Sequence, residues 1–414
     1  MTTKTLRQPA AMRHVRALIA MTEIKMPRFP LLAATALAAA GLAAAPLLAQ
    51  TSAPTVSLSA EDALTPYYDQ LRQRVTLPVA GPNPALSPAT TLTRIAFGSC
   101  NHHLAPQHMW AQIAAQSPQA FLLIGDNVYG DTGWNADAGL ESLRAAYEKQ
   151  ASHPEFRDFR ARFPMMVTWD DHDYGLNDAG GNFPFKRWAK ELFDTFWGSS
   201  EEVRARPGVY ESRIIGPEGQ RVQFLMLDTR YFRSDLQRAE WTRDRAPLGS
   251  YVPNTDPAAT VLGDEQWRWL EQELAKPADL RIVVSSTQVL TEAHQFEGWT
   301  NFPLERARLL KMLEGRAQSG LVILSGDRHA GAIYKEKAPG GSEDIWEFTS
   351  SSLNLAFSSD VEASTKREPD PRRITKFFGI ENYGLVDIDW KARTLTMSLM
   401  GNTSNTLAQH SFQW

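Results

Sequence analysis

Four short stretches of this 414-residue chain place metal-binding or acid–base side chains directly after an apolar run. Met165-Met166-Val167-Thr168-Trp169 leads into Asp170-Asp171-His172-Asp173. Carboxylates packed this closely repel one another unless a cation sits among them. Solvated loops also carry Asp runs, so this stretch alone leaves a metal site and a polar surface loop equally open. Phe97-Gly98 leads into Ser99-Cys100-Asn101. Leu122-Leu123-Ile124-Gly125 leads into Asp126-Asn127-Val128-Tyr129, and Leu321-Val322-Ile323-Leu324-Ser325-Gly326 into Asp327-Arg328-His329. Singly, each reads as an ordinary turn. Together they bring a thiolate, a phenolate, carboxylates and imidazoles to four strand ends. Carboxylate and phenolate oxygens with a thiolate suit ferric iron. Carboxylates with an amide oxygen suit calcium, manganese or zinc. Two such sites sharing Asp126 would form a binuclear centre of the sort that clamps a phosphoryl group.

The elements that must carry these stretches alternate along the chain. Apolar runs predict strands at Arg94–Phe97, Ala120–Ile124, Met165–Trp169, Val222–Leu227, Arg281–Ser285 and Leu321–Leu324. Amphipathic runs predict helices at Gln107–Gln116, Glu141–Gln150, Pro154–Phe163, Phe185–Trp197, Asp264–Leu274 and Leu304–Ala317. This alternation implies an α/β sheet with ligands at the carboxyl ends of the strands. The last third differs: Trp346–Thr349, Tyr383–Trp390 and Thr394–Ser398 read as adjacent antiparallel strands joined by tight turns.

The order Gly-Ser-Cys, Gly-Asp-x-x-Tyr, Trp-Asp-Asp-His and Gly-Asp-x-His resembles the alkaline phosphatase D (PhoD-like) metallophosphatases, within the calcineurin-like and purple-acid-phosphatase-like metallophosphoesterases. Leu227-Asp228-Thr229-Arg230-Tyr231-Phe232-Arg233 and Leu262-Gly263-Asp264-Glu265-Gln266-Trp267 extend the likeness. The resemblance implies a four-layer αββα sandwich with mixed β-sheets, and a binuclear or larger centre of iron plus calcium. It implies Cys100 and Tyr129 as iron ligands, Asp126 as the bridge and Asp171 on the second metal. Asp327 would join the second metal and His329 the first. His172 would contact substrate and act as general acid. Asn177, with Asp178, would serve a further calcium-type site. The wider superfamily adds a histidine after the strand at Arg281–Ser285; this chain has Ser285-Ser286-Thr287-Gln288 there, and Gln288 is the candidate substitute.

The reaction this predicts is hydrolysis of a phosphate ester, with His172 protonating the leaving group. Arg230 either holds a phosphate oxygen bidentately or forms a structural ion pair with Asp228 or a neighbour. A phosphodiesterase acting on nucleotides, phospholipid head groups or wall polymers is the alternative on the same platform. A secreted metal-binding module without turnover is the alternative of another class. Trp134, Phe183 and Trp299 are candidates for shaping the pocket. No Gly-x-Ser-x-Gly elbow and no P-loop occurs.

The rest of the chain sets the context. A net charge of −4 argues against nucleic-acid binding. Arg13, Arg16, Lys25 and Arg28 precede the Ala-rich apolar run Leu31–Leu42, and small residues lead to Leu48-Ala49. This order predicts a signal peptide over residues 1–49, cleaved at or near Ala49, and a periplasmic or secreted protein with no membrane span after cleavage. Residues 50–93 read as a leader and linker with a short helix at Ala60–Arg74, and residues 94–414 as the catalytic domain. The single cysteine, Cys100, excludes an intramolecular disulfide. It is either a buried core thiol or a metal ligand.

Overall fold

The computed structural model describes residues 58–132, 137–240, 248–316, 320–341 and 343–414. The expected signal peptide, the leader through residue 57, and Trp134 lie outside the described residues. The strands are β1 Arg94–Gly98, β2 Ala120–Ile124, β3 Met165–Thr168, β4 Glu211–Ile215, β5 Val222–Met226, β6 Gln237–Arg238, β7 Tyr251–Val252, β8 Leu280–Ser285, β9 Leu321–Ser325, β10 Gly331–Lys337, β11 Asp344–Ser350, β12 Asn382–Asp389, β13 Thr394–Gly401 and β14 Thr406–Gln413. The helices are α1 Ala60–Arg72, α2 Met109–Ala115, α3 Glu141–Ser152, α4 Pro154–Arg162, α5 Asp171–Tyr174, α6 Lys186–Trp197, α7 Glu201–Arg204, α8 Gly263–Leu274, α9 Pro303–Leu313 and α10 Val361–Arg367.

Two six-stranded mixed sheets run β14-β13-β12-β1-β2-β3 and β10-β11-β9-β8-β5-β4. Period-2 alternation assigns each strand's side chains to two layers. Phe97, Leu122, Ile124, Phe224, Met226, Ile282, Val284, Val322 and Leu324 share one buried core drawn from both sheets. The Phe97 and Phe348 rings meet edge-on there, 4.9 Å apart. Each large apolar side chain so buried contributes about 1.5–3 kcal/mol. The intervening residues Ala96, Phe121, Leu123 and Val167 face a second core with Trp110, Tyr147, Phe156 and Trp188 of the helices. Leu225, Val283 and Ile323 face a third, with Trp267 and Leu270 of α8 and Leu309 and Leu313 of α9. Helix, sheet, sheet, helix: the four-layer sandwich is what strands buried on both faces require.

Helix α1 forms within the span read as a leader. Ser59 caps it, accepting from the Asp62 N–H at 3.1 Å. Tyr68 then stacks on Trp188 of α6 at 5.2 Å, which docks the segment on the helical layer. The C-terminal expectation needs one correction. β12 and β13 do pair antiparallel. Trp346–Thr349, however, lies in the other sheet, where β11 runs parallel to β9 and antiparallel to β10. Alternation places Trp346 and Phe348 against the inter-sheet core, and that burial is available from either sheet. Local pattern therefore could not assign the strand to one of them.

The parallel strands deliver their carboxyl ends to one rim. Thr168 Oγ1 donates to Leu227 O at 3.0 Å, joining the tips of the two sheets. Cys100 N reaches Gly125 O at 3.3 Å, and Gly326 N reaches Ser286 O at 3.0 Å. Among the described residues no helix is long and apolar enough to cross a membrane.

Candidate metal centre

The chain turns sharply at each strand tip on this rim. Gly125 has φ +113°, and a Cβ there would lie 2.7 Å from Asp170 Cβ, so only glycine lets the second and third tips meet. The residues beyond the tips pay in backbone strain. Nine non-glycine residues among those described have positive φ, and five of them lie at this rim: Cys100, Asp126, Asp178, Asp327 and His329. Left-handed conformations cluster at sites where surrounding structure holds a functional side chain in place.

Two groups converge on one carboxylate oxygen, and a third adjoins them. Cys100 Sγ lies 3.3 Å and Tyr129 Oη 3.2 Å from Asp126 Oδ2. Tyr129 Oη lies 2.9 Å from His329 Nε2. The donor atoms of Cys100, Asp126 and His329 all fall within 4.8 Å of one another. A second group with the same spacing is Asp126, Asp170, Asp171 and Asp327. Asp126 belongs to both. A third group, Asp171, Asp178 and Glu297, adjoins the second through Asp171.

The charge state is untenable without compensation. Burial, together with the neighbouring carboxylates, pushes Asp126 and Asp327 well above the ordinary range. Burial raises Asp170 to about 7 against the pull of Arg230, and Asp178 to about 6. Burial and the Asp126 charge likewise raise Cys100 and Tyr129. Burial, with His172 nearby, lowers His329 to about 3, leaving a neutral imidazole. The buried Asp126 Oδ1 and Asp170 Oδ2 have no hydrogen-bond partner. Carboxylates that cannot all ionise, orphaned oxygens aimed inward and a neutral imidazole are the donor state a cation completes. The residues therefore fit a metal centre.

His172 also lies within this spacing of Asp126 and Asp171, but its ring is engaged elsewhere. Its Nδ1 lies 2.6 Å from Asp131 Oδ2, and its ring packs at 4.2 Å on Tyr129. Burial disfavours its charge, yet Asp171, Asp126 and Asp131 together hold its proton well above the ordinary value. Asp171 receives the His172 N–H at 2.9 Å on one oxygen and the Asp178 N–H at 2.7 Å on the other. Burial would raise Asp171, but the His172 and Arg230 charges and the Asp178 amide outweigh it and hold it low.

The other sequence candidates sit outside these donor groups. Arg230 is 0% exposed, which favours its ion-pair reading over the phosphate-holding one. Its Nε donates to Asp170 at 2.6 Å, and its Nη1 is taken by Glu297. Asp228 is not its ion-pair partner: it accepts the backbone N–H groups of Val209, Arg230 and Tyr231. Asn177 is exposed; its neighbour Asp178 turns inward instead. Gln288 does not stand in for the superfamily histidine, because it donates to Thr349 Oγ1 at 2.9 Å and pairs with His294. Ser286, in the same stretch, donates to Asp170 at 2.6 Å. Phe183 and Trp299 are 3% and 1% exposed and belong to the helical-layer cores. Sequence reasoning missed the parts played by Asp131, Asp170 and Glu297. Asp170 was visible as the first acid of the Asp run; the other two carry no spacing signal.

Residues 95–179 and 209–399 match the sequence profile of the family described as PhoD-like phosphatase. The chain belongs to this family. The family resemblance of the four motifs is thereby borne out. Alkaline phosphatase D of Bacillus subtilis (strain 168) is 25% identical to this PhoD-like chain over 294 residues, covering 62% of the chain and 48% of the relative. The chain thus spans about half the length of that curated relative. A solved structure titled "Structure of PhoD" superposes with a TM-score of 0.61 at 19% identity, covering 80% of this chain and 71% of the other. At that identity the likeness supports the PhoD-like fold alone.

Proposed function

We propose that this chain is an exported, metal-dependent phosphoric ester hydrolase with alkaline phosphatase-like monoesterase activity. The observation that carries the reading is Asp126, shared between a thiolate–phenolate–imidazole group and an all-carboxylate group. The first donor set suits iron and the second suits calcium, with manganese or zinc as alternatives. Cys100, Asp126, Tyr129 and His329 would hold the first ion. Asp126, Asp170, Asp171 and Asp327 would hold the second. When bound, such a pair supplies positive charge for the phosphoryl oxygens and a water of lowered pKa.

The chain's own residues do the rest. Asp131 fixes the His172 ring through Nδ1, so that Nε2 is the nitrogen free to hand a proton to the leaving oxygen. Tyr129, packed against that ring, keeps it beside the donor cluster. Arg230 neutralises Asp170 and Glu297 from behind and sets the position of Asp170. This acid–base pair beside the cluster favours turnover over a metal-storing or adhesive module.

Elemental analysis of protein purified without chelator tests the reading, with parallel assays on p-nitrophenyl phosphate and bis-p-nitrophenyl phosphate. The expected result is at least two metal ions per chain and faster cleavage of the monoester. Full activity in a metal-free preparation would sink it. Faster cleavage of the diester would assign the phosphodiesterase alternative.

A further inference from the structure

We propose that Glu368 and Arg328 form a positioning pair that holds Asp327 and His329 in their ligating conformation. The proposal rests on the metal-dependent reading above and adds to it a remote anchor.

The loop after β9 carries two of the candidate ligands. Asp327 has φ +69° and His329 φ +48°, with Arg328 between them. Two left-handed residues in three are strained, and such a loop relaxes unless its surroundings hold it. Backbone bonds anchor the loop at its two ends, Gly326 and Ala330, but between them Arg328 N reaches only Gly326 O, at 2.9 Å, within the same turn. The side chain of Arg328 supplies the missing hold. Its Nη2 lies 2.5 Å from Glu368 Oε2, and the two side chains are 8% and 5% exposed. Its guanidinium also sits over Phe296 at 4.6 Å and Phe377 at 5.9 Å. A planar cation tied by one contact to a buried carboxylate and stacked on two rings is restricted in position, and Asp327 and His329 flank its backbone.

Glu368 is fixed independently of the rim. It follows α10, whose N-terminus is capped by Asp360 accepting from Ala363 N at 2.9 Å. Its N–H reaches Ser364 O at 3.3 Å, and its carbonyl accepts from Arg373 Nη1 at 2.6 Å. Glu368 belongs to none of the donor groups at the rim. Its route to the site runs through Arg328. Residues that orient ligands in this way typically change metal affinity by about 10–100-fold when altered.

The test compares wild type with Glu368→Gln, Arg328→Lys and the double variant Arg328→Met/Glu368→Leu. Metal affinity is read by competition with a chelator, and apo-protein melting by circular dichroism. Removing one partner of a buried pair destabilises the fold, whereas replacing both by apolar residues of similar size is tolerated. The double variant therefore separates stability from positioning. Its apo melting should match wild type while its metal affinity falls by about 10–100-fold. Both single variants should weaken metal binding likewise. Folded variants with wild-type metal affinity would overturn the proposal. So would a raised KM with metal affinity unchanged, which would make Arg328 a substrate contact. A wild-type protein that takes up no metal would instead remove the function proposed above, and this inference with it.

Discussion

Asp131 Oδ2 lies 2.6 Å from His172 Nδ1, although the two residues come from the tips of different strands. The contact fixes the imidazole ring and adds negative charge beside it. Asp171, Asp126 and Asp131 together hold the His172 proton well above its ordinary pKa against burial. Asp131→Asn keeps the size of the side chain and removes the charge. The folded-state pKa of His172 should then fall. If His172 acts as a general acid, it must be protonated, so the alkaline limb of the kcat profile should move to lower pH. A pH–rate profile of the variant checks this. An unmoved limb would mean that His172 is not the group titrating there.

Cys100 is 0% exposed, so burial alone does not choose between a core thiol and a ligand. Its φ of +58° and its 3.3 Å approach to Asp126 favour the ligand. Cys100→Ser should leave the fold intact, at a cost of about 1–2 kcal/mol if packing alone is lost. The variant should lose its iron and most of its activity. Elemental analysis beside thermal melting decides, and normal iron content would return Cys100 to the core.

Arg230 makes a different prediction from the one its sequence position suggests. Its guanidinium is enclosed with Asp170 and Glu297. Removing it leaves the buried Asp170 without its guanidinium partner and Glu297 with Arg233 alone. Arg230→Ala should therefore cost about 3–5 kcal/mol of stability. Urea unfolding measures this directly. A phosphate-holding arginine would instead show a raised KM with near-normal stability.

The contrast between Cys100 and Arg230 marks what the sequence could tell. Cys100, Asp126, Asp171 and Asp327 are legible because each follows a short continuous apolar run, and a strand tip has one location. The alternation of strands and helices is legible for the same reason, whereas the two-sheet sandwich came only from the family resemblance. Arg230 is legible as a residue beyond a strand but not as a buried one. Its partners Asp170 and Glu297 come from two other loops, and such contacts leave no local pattern. Asn177 and Asp178 show the limit of residue-level reading. Adjacent residues point in different directions, and the +55° φ of Asp178 that turns it inward is a tertiary outcome. The strand β11 failed likewise, because its alternation suits either sheet.

The final prediction separates metal binding from proton transfer at two adjacent residues. Asp171 shares the all-carboxylate group with Asp126, Asp170 and Asp327. His172 joins Asp126 and Asp171 in a further grouping, yet its Nδ1 is already taken by Asp131. Asp171→Ala should therefore weaken metal binding. His172→Ala should retain the metals and lower kcat by about 10²–10⁴, the range for losing a general acid. The loss should be small for nitrophenyl phosphate, whose leaving group needs little protonation, and large for an alkyl phosphate. Equal losses on both substrates would make His172 a stabiliser of charge on the phosphoryl oxygens. Loss of metal in His172→Ala would make it a ligand, and the division of labour between the two neighbours would fall.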